Sequence, residues 1–213
     1  MKLSVAIGIA AYTLSVNVVA DVDKGLSCYN EKNYSCAVAE FTSSADTGSS
    51  AAQYQLGLLY TNGQGVKQDY VKAAEWYQKA AAQGQVNAQA NLGYLYGNGK
   101  GVKQDYLKAV KWYQKAADQG NANAQNNLGV MYSKGQGVKQ DYLKAAEWYQ
   151  KAAEQGDSNA QNNLGYLYAS GQGVKQDYLK AAEWYQKAAD QGYATAQNNL
   201  GYLYANQGGI ILC

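Results

Sequence analysis

Along residues 159–194 the apolar positions fall into two helical registers, separated by short polar stretches that carry glycine. In the first register Ala160, Leu164, Leu167 and Tyr168 stand at i, i+4, i+7 and i+8, one stripe of a helix. Gly171 and Gly173 then interrupt the pattern, the first placed to cap the helix in a left-handed conformation. In the second register Tyr178, Ala181, Ala182, Tyr185, Ala188 and Ala189 recur at steps of three and four, and Gly192 closes the run. Asp177 is the N-cap of this second helix, although Lys180 stands where a capping box would place Glu. Gly165 lies inside the first helix, where glycine costs about 1 kcal/mol against alanine. Its recurrence suggests backbones crossing too closely there for a side chain.

The same pattern returns every 36 residues. Gly57, Gly93, Gly129, Gly165 and Gly201 keep that spacing, as do Trp76, Trp112, Trp148 and Trp184. A fixed period of this size is the mark of a solenoid, in which one helical pair stacks on the next. Residues 21–50 read as a worn copy: Tyr34, Ala37, Phe41, Ala45 and Gly48 align with Tyr70, Ala73, Tyr77, Ala81 and Gly84. They predict helices around 22–30 and 33–45, an end unit of the atypical kind that solenoids require. Residues 51–206 then hold four full repeats and one partial repeat, and 207–213 form an aberrant apolar tail.

Leu92-Gly93-x-x-Tyr96, Ala109-x-x-x-Tyr113 and Ala116 follow the tetratricopeptide order. The connection between Gly93 and Ala109 is longer, however, and Gln89 takes the usual tryptophan position. With AQNNLGYLY, GQGVKQDYLKAAEWYQKAA and a closing QG, the unit resembles the Sel-one-like repeat (SLR), a relative of the tetratricopeptide repeat. The resemblance covers about three quarters of the chain. It implies an all-α, right-handed α-solenoid of stacked helix-turn-helix units, acting as a protein-binding scaffold. In tetratricopeptide-like stacks the first helices line the concave surface. The resemblance thus carries groove positions to Ala90, Asn126, Asn162 and Asn198, and to Tyr94, Val130, Tyr166 and Tyr202. The column three residues earlier adds Asn87, Asn123 and Asn159. Asparagine both donates and accepts, and tyrosine supplies amphipathic contact area, so the set suits an extended, uncharged peptide. The same residue types suit a glycan or cell-wall polymer. They are also what plain solvent-facing positions of a recently duplicated unit would show.

Candidate chemistry narrows the reading further. The chain has no histidine and no arginine, which excludes His-based triads, His metal sites and bidentate phosphate clamps. The GQGV turns match neither GxGxxG nor GxxxxGK[ST], and no cofactor or metal is expected. Some cysteine-rich relatives of this repeat class are described as β-lactamases, but S-x-x-K and K-T-G are both missing here. A non-catalytic protein is therefore expected. A net charge of +2 gives no general pull toward nucleic acid. Lys144, Glu147 and Lys151, like Lys180, Glu183 and Lys187, are spaced to pair along one helix face. Lys108, Lys111 and Lys115 lack that Glu and read as a local basic patch or as one drifted position. The tryptophans, at core spacing beside tyrosines, read as core or inter-repeat packing rather than as platforms for a ligand.

Met1-Lys2, an uncharged apolar run through residue 20 and Val18-x-Ala20 read as a secretory signal peptide cleaved after Ala20. An uncleaved anchor is the alternative, because 18 uncharged residues nearly span a bilayer. Export from a bacterium to the periplasm or beyond would put Cys28 and Cys36 in an oxidising compartment, and a disulfide between them is expected. Cys213 has no evident partner and reads as a free thiol beside Ile210-Ile211-Leu212. That end invites a tail-mediated or Cys213-linked dimer, unless the tail is merely a truncated or frame-shifted end.

Overall fold

The computed structural model describes residues 22–211. The signal-peptide reading and Cys213 lie outside the described residues, as do the side chains of the tail. Among the described residues the chain is all α, with eleven helices and no strand. They are α1 (22–30), α2 (Tyr34–Asp46), α3 (Ser50–Asn62), α4 (Tyr70–Ala82), α5 (Val86–Asn98), α6 (Tyr106–Asp118), α7 (Ala122–Lys134), α8 (Tyr142–Glu154), α9 (Ser158–Ser170), α10 (Tyr178–Asp190) and α11 (Ala194–Ile211). The chain divides into two compact units, Met1–Gln104 and Asp105–Cys213. Within each, consecutive helices pack on one another, as expected for a solenoid.

The ends of the helices follow from short-range chemistry. Asp69, Asp105, Asp141 and Asp177 each accept backbone N–H bonds at the start of a second helix. The first helices are opened by Ser49, Gln85, Asn121 and Asp157. Each then stops at a left-handed glycine, Gly171 at φ 71° for α9. In α11 the equivalent position is Gln207, a residue for which the left-handed cap is costly. There α11 does not stop after Asn206, as the repeat pattern predicts, but runs on to Ile211.

Buried glutamines join one repeat to the next. Gln161 Nε2 donates to the Ala153 carbonyl at 3.1 Å, while Gln161 Oε1 accepts from Gln191 Nε2 at 2.8 Å. Gln125 repeats the arrangement with Ala117 and Gln155, and Gln53 with Ala45 and Gln83. Each such glutamine adds a second hydrogen bond to a helix-end carbonyl that already accepts the backbone N–H of the glycine three residues later. This is the physical reason for an amide at the position of Gln89, which donates to the Ala81 carbonyl at 3.2 Å.

The tryptophans pack between repeats. Trp76 lies against the cluster of Phe41, Leu56 and Leu59, and Trp184 against that of Tyr149, Leu164 and Leu167. The expected Glu–Lys pairing is not what the lysines do. Lys151 and Lys187 place Nζ 4.1 and 4.0 Å from the Trp148 and Trp184 ring centroids, three residues earlier on the same helix. An exposed ion pair contributes little, whereas an indole face offers the ammonium both apolar cover for its stem and a favourable quadrupole.

The first pair of helices departs from the period. Gly25 faces the Phe41 ring 16 positions later, whereas Gly165 faces Tyr185 20 positions later. The link between α1 and α2 is therefore four residues shorter than in the repeats. With that shift Cys28 and Cys36 stand where later repeats have a tyrosine and a lysine. A disulfide joins the two cysteines, with Cα atoms 5.7 Å apart. Lys72 over Tyr60, Lys144 over Tyr132 and Lys180 over Tyr168 fill that place elsewhere, each at 5.3–5.4 Å.

Candidate functional site

In the carboxy-terminal unit the first helices present two clefts built to one plan. The first, of 570 Å³, lies among α9, α10 and α11 and is walled by Tyr166, Tyr178, Tyr185, Asn199 and Tyr202. The second, of 360 Å³, lies among α7, α8 and α9 and is walled by Val130, Tyr142, Tyr149, Asn163 and Tyr166. Each of these wall residues has its counterpart 36 positions away. Tyr166 belongs to both clefts and is 54% exposed, so it forms their shared rim. Among the described residues, Lys134 is the one charged residue in the walls of either cleft.

Apart from Lys134, the chemistry of these walls is neutral and amphipathic. Tyr185 and Tyr149 come from the second helices, and their rings lie against Gly165 and Gly129. The Tyr149 hydroxyl shares a hydrogen bond with Ser133 Oγ at 3.3 Å. Burial, with a contribution from Tyr166, pushes the Tyr185 phenol up to about 12. In the amino-terminal unit burial likewise takes Tyr77 to about 12, against hydrogen bonds from Thr61 and Asn91. Tyr149 is raised by burial against its Ser133 bond. These phenols stay neutral in the fold over a pH range in which unfolded tyrosine ionises, near 10. Their contribution to stability is present below about pH 10 and falls as pH rises above it, toward 12 for Tyr77 and Tyr185. Urea midpoints followed by circular dichroism across that range should fall, and Tyr185→Phe should flatten the fall. A midpoint independent of pH there would contradict it.

The structure divides the predicted groove residues. Asn123, Asn159 and Asn198 are exposed, as are Asn87, Tyr94 and Tyr202. Tyr94 already accepts a hydrogen bond from Lys100 Nζ at 2.9 Å. Asn162 is not a solvent-facing groove residue: it is 8% exposed, and its Oδ1 accepts from Asn199 Nδ2 at 2.9 Å. Asn126, half-buried, accepts in the same way from Asn163 at 3.1 Å. The first asparagine of each pair thus ties neighbouring first helices together, and the second faces the cleft. Tyr142, Tyr149, Tyr178 and Tyr185 were not among the groove residues expected from the sequence. Their helical spacing marks them only as core, and the hydroxyl reaching into a cleft is set by the packing of three helices.

The Sel1 repeat profile matches residues 50–85, 86–121, 122–157, 158–193 and 194–211. The chain belongs to the Sel1 repeat family. Sel1 repeat proteins are scaffolds that generally bind other proteins. Among solved structures, a protective antigen of uropathogenic Escherichia coli with an SLR fold is 40% identical over 91% of this chain, with a TM-score of 0.83. The match spans only 43% of that antigen. A Sel1 repeat protein from Oxalobacter formigenes is 38% identical over 87% of this chain and 74% of its own, with a TM-score of 0.82. An immunity protein from Pseudomonas aeruginosa is 25% identical over 81% and 67%, with a TM-score of 0.52. No curated protein matches the chain. No helix of the described residues is long and apolar enough to cross a membrane.

Proposed function

We propose that this Sel1 repeat chain is a non-catalytic scaffold that holds an extended, uncharged stretch of a partner protein against its first-helix face. The supporting observation is the pair of clefts in register, one repeat apart and sharing Tyr166. A peptide laid across them meets tyrosine faces for its side chains, and asparagine amides that can donate to its carbonyls and accept from its N–H groups. The absence of histidine and arginine from the sequence supports a binding role over a catalytic one. We place the protein in the periplasm or outside the cell. The signal-like residues 1–20 and the oxidising conditions that a Cys28–Cys36 disulfide requires support that location. Glycan binding is the second reading, supported by four tyrosines and two asparagines around one cleft.

Peptides selected by display against the full chain test the proposal. Tyr166→Ala should weaken their binding about tenfold or more, because it strips both clefts at once. Its melting temperature should stay close to that of the parent, because the ring is more than half exposed. Peptide binding that survives Tyr166→Ala intact would remove the first-helix face from consideration. Binding of soluble peptidoglycan fragments, abolished by the same substitution while no peptide is selected, would replace the protein partner with a sugar.

A further inference from the structure

Three times within the two units the same two contacts lock a second helix onto the first helix of its own repeat. The Tyr149 and Tyr185 rings lie where side chains on Gly129 and Gly165 would stand, 2.6 and 2.8 Å from the Cβ positions, and Tyr77 does the same at Gly57. Five residues before each of these tyrosines, Lys144, Lys180 and Lys72 lie over Tyr132, Tyr168 and Tyr60. Those receiving tyrosines in turn follow their glycine by three residues. One ring in a glycine socket and one ammonium on a tyrosine face thus fix both the depth and the register of the helix.

On α11 the receiving half of this lock is complete and, among the described residues, open. Among the described residues, no heavy atom beyond the helix's own neighbouring turns stands within 4 Å of the Cβ position of Gly201. Tyr204, three residues on, is 40% exposed. The opposite side of α11 is already used: Ala196, Leu200 and Leu203 pack back on α10. What remains outward is the face that α3, α7 and α9 each cover with a second helix.

We infer that the Gly201–Tyr204 face of α11 is a docking site for an amphipathic helix of a partner chain carrying Lys-Ala-Ala-x-x-Tyr. The tyrosine enters the Gly201 socket and the lysine lies over Tyr204. The alanines are required because the backbones approach closely: the Ala181 carbonyl oxygen stands 3.2 Å from the Gly165 Cβ position in the filled lock. A second copy of this chain is a poor occupant. Its helices α4, α8 and α10 carry the motif's tyrosines, and those rings are already seated on Gly57, Gly129 and Gly165.

A stapled peptide with the sequence of residues 177–191, held helical by a lactam between its exposed Glu183 and Lys187, is the probe for the full chain. It should bind the parent protein. A peptide carrying Tyr185→Ala should bind about tenfold more weakly, and one carrying Lys180→Gln a few-fold more weakly. Gly201→Ala in the protein should weaken the parent peptide by a similar factor while keeping or raising the protein's own melting temperature, since the new methyl enters open space. Equal binding to parent and Gly201→Ala proteins, or no binding by the stapled peptide, would overturn the assignment. So would self-association of the protein that Gly201→Ala abolishes, which would make the occupant a second copy.

Discussion

Gly165→Ala should lower the stability of the carboxy-terminal unit by roughly 2–3 kcal/mol, although alanine is the better helix former. The intrinsic helix preference alone would add about 1 kcal/mol. Against it stands a methyl group placed 2.8 Å from two carbons of the Tyr185 ring and 3.2 Å from the Ala181 carbonyl oxygen. The far end of a flexible side chain could step aside, but Tyr185 is buried against Leu200, Leu203 and Ala188 and has nowhere to turn. Helices α9 and α10 must therefore part, and overpacking of this kind costs about 1–3 kcal/mol or more beyond what the propensity returns. The melting temperature should drop by about 10 °C. Gly129→Ala should behave alike, because Tyr149 stands 2.6 Å from its Cβ position. A double-mutant cycle separates the clash from any other effect. In a Tyr185→Ala background Gly165→Ala should cost nothing, and an equal loss in both backgrounds would show that the ring is not the cause.

That glycine shows how far the sequence could be read. Its recurrence inside a helical stripe suggests two backbones crossing closely, but the nearest atoms belong to a side chain, with the Ala181 carbonyl oxygen further off. The neighbour is an aromatic ring on the next helix, 20 positions later, and no periodicity within the first helix points to it. The 36-residue period, the two helices of each repeat, the aspartate caps and the left-handed Gly171 were all legible because each depends on local chemistry alone. The position of Gln89 was legible as an anomaly. Its purpose, an amide that donates to the Ala81 carbonyl of the helix before it, needed the stacked helices to be seen.

The candidate site was legible only in part, for a related reason. Alignment to a tetratricopeptide groove identifies a helix face, yet Asn162 and Asn163 differ by 100° around the helix axis. Asn162 is turned into the contact with α11, where it accepts from Asn199, and Asn163 faces the second cleft. Tyr166 falls on the open rim under either reading. The lysines illustrate the same limit. Glu147 and Lys151 have the spacing of an ion pair, but Trp148 offers the ammonium a face one position nearer on the helix. Where two partners compete at i−3 and i−4, composition does not decide between them, and desolvation does.

Opening the Cys28–Cys36 disulfide should unfasten α1 while leaving the later repeats intact. The two cysteines are eight positions apart, and closing so short a loop restricts the unfolded chain by roughly 2.5 kcal/mol. In the cluster around Phe41, Cys28 is the buried residue that α1 contributes, with Val22, Leu26 and Tyr29 only partly covered. An end helix with so little burial depends on its cross-link more than an interior helix would. Cys28→Ser with Cys36→Ser should therefore speed amide exchange in residues 22–30 by about 50-fold or more, with α9 and α10 unchanged. Because the disulfide stands where later repeats hold a lysine over a tyrosine, Cys28→Tyr with Cys36→Lys offers a second measurement. The pair at Tyr168 and Lys180 is worth about 0.5–1 kcal/mol at an exposed site. The double replacement should thus recover a few-fold of the lost protection and no more. Full protection in the serine variant would show that packing on Phe41 holds α1 by itself. Full recovery by the tyrosine–lysine pair would show that the disulfide acts only as a contact between the helices and adds no restraint of its own.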